Sequence, residues 1–171
     1  MKSSGFKKKS TPLKSRVPLT KSGFKTTRSS LKQTPMRKKK ELTPRQILDS
    51  IVSKVVRLGS ADENGMAICC TCEQAFHWTE IQCGHFQKRA NTATRYDPKN
   101  LAAQCEICNC FNNGEEEKFA QFIDDYYGPG TADELRAKAR TVVDDFPYEQ
   151  EIAKWSQILD HMMNSKREIQ F

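Results

Sequence analysis

The sequence predicts an α+β fold: a small sulfur-pinned core packed with flanking α-helices and preceded by a disordered basic arm. Three observations carry this reading. Two Cys-x-x-Cys pairs, Cys69/Cys72 and Cys105/Cys108, bracket a loop-rich segment. Apolar residues recur at helical spacing on both sides of that segment, which marks amphipathic helices. Residues 1–40 hold 14 Lys/Arg and no Asp/Glu.

Taken in order, the arm comes first. It is rich in Lys, Arg, Ser, Thr and Pro and too poor in apolar residues to bury a core. Ser4-Gly5-Phe6-Lys7 and Leu13-Lys14 return as Ser22-Gly23-Phe24-Lys25 and Leu31-Lys32, a period of 18 residues. Aromatics interleaved with cations suit phosphate contact combined with base stacking. Lys7, Lys8, Lys9, Arg37, Lys38, Lys39 and Lys40 are the arm's candidate DNA contacts. The rest of the chain holds 14 Lys/Arg against 21 Asp/Glu, a balance of −7, so the arm is the main source of affinity for a polyanion. As a solubilising tail it would need no partner.

The first helix starts at Thr43-Pro44-Arg45-Gln46: an N-cap, a proline at the first helical position and a Gln that can close a capping box. Ile47, Ile51, Val55 and Leu58 follow at helical spacing, and Gly59 supplies a stop. Across residues 66–112 the expectation is a short strand into the Cys69–Cys72 knuckle, then a hairpin through Phe76, Trp78 and Ile81 to His85. An irregular loop with Tyr96-Asp97-Pro98 leads on to a short helix near the second pair. Beyond it, Phe119, Phe122, Ile123 and Tyr126 mark a helix ended by Gly128-Pro129-Gly130. Thr131 to Glu134 reads as a second capping box for a helix carrying Leu135, Ala139, Val142 and Phe146. After Pro147, Ile152, Trp155, Leu159 and Met162 form a last amphipathic face. The expected division is a basic arm over 1–42, a helix plus core over 43–114 and a helical extension over 115–171.

No apolar stretch follows Met1, and no run approaches the roughly 18 apolar residues needed to span a bilayer. A cytoplasmic protein is expected, with no membrane partner. In a reducing compartment seven cysteines favour metal ligation or free thiols over disulfides. Cys69, Cys72, Cys105 and Cys108 are the candidate ligands of one structural Zn²⁺, because a closed four-thiolate site leaves no open position for chemistry. Buried or redox-active thiols are the competing account, and Cys70, Cys83 and Cys110 are left as spares.

His85, Asn100 and Asn109 stand at offsets of fifteen and nine, and Asn109 directly follows the last Cys. This pattern, with its embedded knuckle, resembles the His-Asn-His signature of the ββα-metal (HNH) endonucleases, the third His replaced by Asn. Gly84-His85-Phe86, Arg95-Tyr96-Asp97-Pro98-Lys99-Asn100-Leu101 and Gln104-Cys105-x-x-Cys108-Asn109 resemble, more narrowly, the NinG (Rap) recombination proteins of lambdoid phages.

The resemblance implies an HNH-like ββα-metal core and a metal-dependent nuclease for branched DNA such as junctions, D-loops and flaps. It would work in the host cell cytoplasm if phage-encoded, as a homodimer if it cuts junctions symmetrically. In such a site His85 is the general base, since an imidazole near its ordinary pKa accepts a proton from water at neutral pH. Asn100 would orient it, and Asn109, helped by Asn113, would hold a catalytic Mg²⁺ or Mn²⁺. Asn113 equally suits a helix-start cap. Lys88, Arg89 and Arg95 are candidate phosphate contacts between His85 and Asn100. Many relatives carry an acid or His just before the base; here that residue is Gly84, and Asp97 is a candidate replacement. A non-catalytic zinc-dependent DNA-binding module with a degenerate motif, and an arm-led RNA binder, are the rival readings.

Overall fold

The computed structural model describes residues 41–168. Helix α1 (Pro44–Gly59) opens with the expected capping box: Thr43 Oγ1 accepts from the Gln46 amide, and the Gln46 side chain accepts from the Thr43 amide. Its buried side is Leu48, Val52, Val55 and Leu58, whereas Ile47 is exposed and Ile51 half-buried. The helix is thus rolled by about one position from the Ile47/Ile51 register (each residue turns it by roughly 100°), because Leu48 and Val52 meet the sheet.

Four short strands follow. β1 (Met66–Ile68) pairs antiparallel with β2 (Ala75–His77), and the turn between them is the first Cys-x-x-Cys knuckle. β3 (Gln82–His85) pairs antiparallel with β4 (Leu101–Gln104), Gln82 opposite Gln104 and His85 opposite Leu101. The expected hairpin running from Phe76 to His85 is therefore replaced by two separate ladders. The knuckle folds β2 back on β1, and β3 finds its partner only after the loop carrying α2 (Thr92–Arg95). The Cys70 amide donates to the Ala103 carbonyl (2.9 Å), which ties the knuckle to β4.

The β3–β4 pair is covered on both sides, and all four residues of β4 are buried. On one side Cys83 and Leu101 pack with α1, Tyr96 and Trp155 of α5 (Tyr148–Glu168). On the other, Ala102 packs with Phe86, Phe119 and Ile123 of α3 (Glu116–Tyr127), and Ala132 and Leu135 of α4 (Thr131–Lys138). Ala67, Ile81, Ala103 and three of the cysteines form a third cluster at the knuckle. Strand alternation thus sets the chemistry: Cys83 and His85 turn towards α1, Gln82 and Gly84 towards α3.

Ile152, Leu159 and Met162 pack where the last amphipathic face places them. The second capping box does not form. Gly130, at φ +88°, precedes α4; Thr131 Oγ1 donates back to the Gly128 carbonyl, and Asp124 of α3 accepts from the Ala132 amide (2.9 Å). The helix stops at Lys138, which leaves Val142 84 % exposed, while Phe146 reaches the α1 core from a loop. Among the described residues no helix is long and apolar enough to cross a membrane.

Candidate metal centre and the His85 loop

The sulfurs of Cys69, Cys72, Cys105 and Cys108 all lie within 4.8 Å of one another. Cys72 Sγ and Cys105 Sγ are 3.8 Å apart. A tetrahedron with Zn–S bonds of about 2.3 Å has edges of about 3.8 Å, so the cage is the right size. The sulfurs are also solvated by the chain: the Cys105 amide donates to Cys69 Sγ (3.3 Å) and the Cys108 amide to Cys105 Sγ (3.5 Å). Burial works against ionising the Cys69 thiol, yet the Thr71 hydroxyl and the surrounding amides outweigh it and bring Cys69 down to about 6. Burial and the neighbouring sulfurs push Cys72 and Cys108 up where Cys69 is pushed down, so it is the geometry of four converging sulfurs that fits zinc. Cys70, Cys83 and Cys110 lie outside the cage; burial pushes the Cys70 thiol up, and that of Cys83 to about 12. Cys110 is exposed and donates to Gln82.

Asn100 is completely buried and holds the loop that follows β3. Its Oδ1 accepts from the Gln87 amide (2.6 Å), and its Nδ2 donates to the carbonyls of Gln87 (3.1 Å) and Thr94 (2.9 Å). One carboxamide supplies the acceptor and both donors a tight loop needs, which a hydroxyl or carboxylate would not match. His85, half-buried at the mouth of this loop, receives the Arg89 Nε–H on Nδ1 (3.4 Å). Burial and then the Arg89 charge push its pKa down to about 4, partly offset by the Cys83 carbonyl. At neutral pH the imidazole is uncharged, and the depression makes it a weaker base than the imidazole of ordinary pKa expected from the sequence.

The other expected site residues divide. Lys88 and Arg89 are exposed, as phosphate contacts must be. Arg95 is not available for that role. It is 6 % exposed, and its Nε and Nη2 grip Asp49 of α1 (2.9 and 2.6 Å), while Nη1 donates to the Arg89 carbonyl. Tyr96 Oη also donates to Asp49 (2.9 Å). Asn109 donates to Gln82 Oε1 (2.6 Å), at the opposite end of β3 from His85 and on the face turned the other way. Asn113 is exposed, with a left-handed φ of +52° that Asn tolerates in a turn. Asp97 is committed to Lys138 and to capping the Lys99 amide. Lys7, Lys8, Lys9, Arg37, Lys38, Lys39 and Lys40 lie outside the described residues.

With this geometry in place, the comparison with known families decides identity. A family model described as NinG, Bacteriophage Lambda NinG protein, matches residues 4–157. The chain belongs to the NinG family. No curated protein and no solved structure matches it.

In this NinG chain four residues of the site escaped the sequence reading. Asp49 is one: an acid in the middle of an amphipathic helix looks like a solvated charge until Arg95 closes on it across 46 positions. Arg45 is another; its guanidinium donates to the Arg89 carbonyl (3.3 Å), which places a third exposed cation beside Lys88 and Arg89. Gln104 and Thr71, both buried polar residues next to the cysteines, are the others. Their one sequence signal was a polar side chain inside otherwise apolar or ligand-bearing segments.

Proposed function

We propose that this protein is a phage recombination nuclease, a metal-dependent HNH-type endonuclease acting on branched DNA. The observation that carries the reading is the Asn100 clamp: a buried carboxamide fastening the loop behind a neutral, half-buried imidazole. That is the role the HNH resemblance gives to the middle Asn. His85 would take the proton of the attacking water, and Arg89, Arg45 and Lys88 would hold phosphates either side of the scissile bond. The arm would add sequence-independent affinity, with a steep salt dependence. Cutting both strands of a junction symmetrically would call for two copies of the chain.

The donors at hand do not make a resident site for a hard Mg²⁺ or Mn²⁺. Asp49 is held by Arg95 and Tyr96, Asn109 Nδ2 donates to Gln82 and leaves a lone neutral amide oxygen, and among the described residues the four cysteines are the one cluster of His, Cys, Asp or Glu that could hold a metal. This favours one specific rival, a zinc-dependent DNA-binding module without turnover. Incubating the protein with linear, flapped and four-way DNA, with Mg²⁺ or Mn²⁺ and beside His85→Ala, separates the two. Cleavage lost in the variant supports the nuclease. Tight junction binding without products in either metal supports the binding module.

A further inference from the structure

We infer that Gln104 is a positioning residue for the zinc site, and that it is the reason the residue before His85 is glycine. The inference rests on the metal reading of the four cysteines and not on catalysis. Gln104 is completely buried on the α3 side of β4, an uncommon place for a carboxamide. Its Nε2 donates to the Gly114 carbonyl (2.8 Å) and to Thr71 Oγ1 (3.3 Å). A carbonyl only accepts, so Gly114 fixes which end of the amide is nitrogen.

Thr71 Oγ1, having accepted from Gln104, keeps its own proton for Cys69 Sγ at 3.3 Å. The result is a relay, N–H to O–H to sulfur, in which each bond polarises the next and the last aims the sulfur of a zinc ligand. The same side chain joins the two halves of the cage, since Thr71 lies within the first Cys-x-x-Cys and Gly114 closes the turn after the second. Partners behind a ligand are a large part of what holds a metal.

The orientation has a consequence on β3. Gln104 Oε1 is left without a hydrogen-bond partner and faces Gly84. A Cβ at residue 84 would lie 2.6 Å from that oxygen and 2.9 Å from Gln104 Cβ, closer than such contacts occur. A metal-binding side chain at residue 84 and the Gln104 relay are therefore mutually exclusive, and this chain has the relay.

The test is competition for zinc between the full-length protein and a chromophoric chelator, with Co²⁺ spectra reporting a four-sulfur tetrahedral site. Gln104→Met keeps the volume and removes the donor, and should weaken zinc binding by about 10- to 100-fold. Thr71→Val should weaken it similarly, Thr71→Ser should restore it, and the double variant Thr71→Val/Gln104→Met should lose little more than either alone. Gly84→Ala, which displaces Gln104, should resemble Gln104→Met. If Gln104→Met does not fold, the Thr71 pair decides: equal zinc affinity for Val and Ser overturns the relay. Unchanged affinity in folded Gln104→Met overturns it directly. A parent protein that takes up no zinc overturns the four-cysteine reading itself.

Discussion

Replacing Asn100 by aspartate tests whether one buried carboxamide holds the His85 loop. The side chain is 0 % exposed and makes three hydrogen bonds, to the Gln87 amide, the Gln87 carbonyl and the Thr94 carbonyl. Asp preserves the shape and the first bond but turns an oxygen towards two carbonyl oxygens. Each buried bond lost with its partner unsatisfied costs about 1–3 kcal/mol. With two such partners, one half-exposed, the sum is on the order of 3 kcal/mol near neutral pH.

The sign with pH follows from the same geometry. Burial beside carbonyls raises the introduced carboxyl's folded pKa above its unfolded value, because the protonated form can donate to one of them. The stability gained from protonation is then fully present below the unfolded pKa and disappears as pH rises through the folded one. Urea unfolding of the zinc-loaded protein at pH 5 and pH 8 should show the deficit of Asn100→Asp shrinking at the lower pH. Asn100→Ala, which cannot donate at any pH, should show a comparable deficit at both. Hydrogen exchange should speed up across residues 86–95 in both variants. A penalty under about 1 kcal/mol for both, or an Asp variant indifferent to pH, refutes the clamp.

Three further outcomes are expected. The His85 imidazole, followed by NMR of its ring protons, should titrate near 4 and rise in Arg89→Ala, with burial, the larger cause, still holding it below 6.5. The depressed pKa means that stability held above the unfolded value of 6.5 falls as pH drops from there to about 4, by at most on the order of 3 kcal/mol. Asp49→Asn should destabilise by about 3 kcal/mol in chemical denaturation, because Arg95 keeps its charge with no counter-ion, while Asp49→Leu combined with Arg95→Met should lose less. Arg45→Ala, Lys88→Ala and Arg89→Ala should each weaken DNA binding across sequences and lower the slope of log affinity against log salt by about 1.

The cysteine spacing, the Thr43 capping box and the stop at Gly128 are local signals, each decided within a few residues by hydrogen-bond geometry or chelate bite. They hold in the folded chain as they read in the primary structure. Asn100 closes the loop after His85 through Gln87 and Thr94, whereas the bond to the imidazole comes from Arg89. Long-range partnership is a different matter. That β3 pairs with β4 and not β2, that α1 presents Leu48 and not Ile47, and that Arg95 turns inward to Asp49 all depend on which surfaces meet across tens of residues. Composition is silent there, because an apolar stripe one position wide of true, or a charge on a helix, has the same local energy either way. The separation of Asn109 from His85 is decided at that level too. The parity of a four-residue strand puts residues 82 and 85 on opposite faces, and only the folded ladder shows that Gln82 claims the carboxamide.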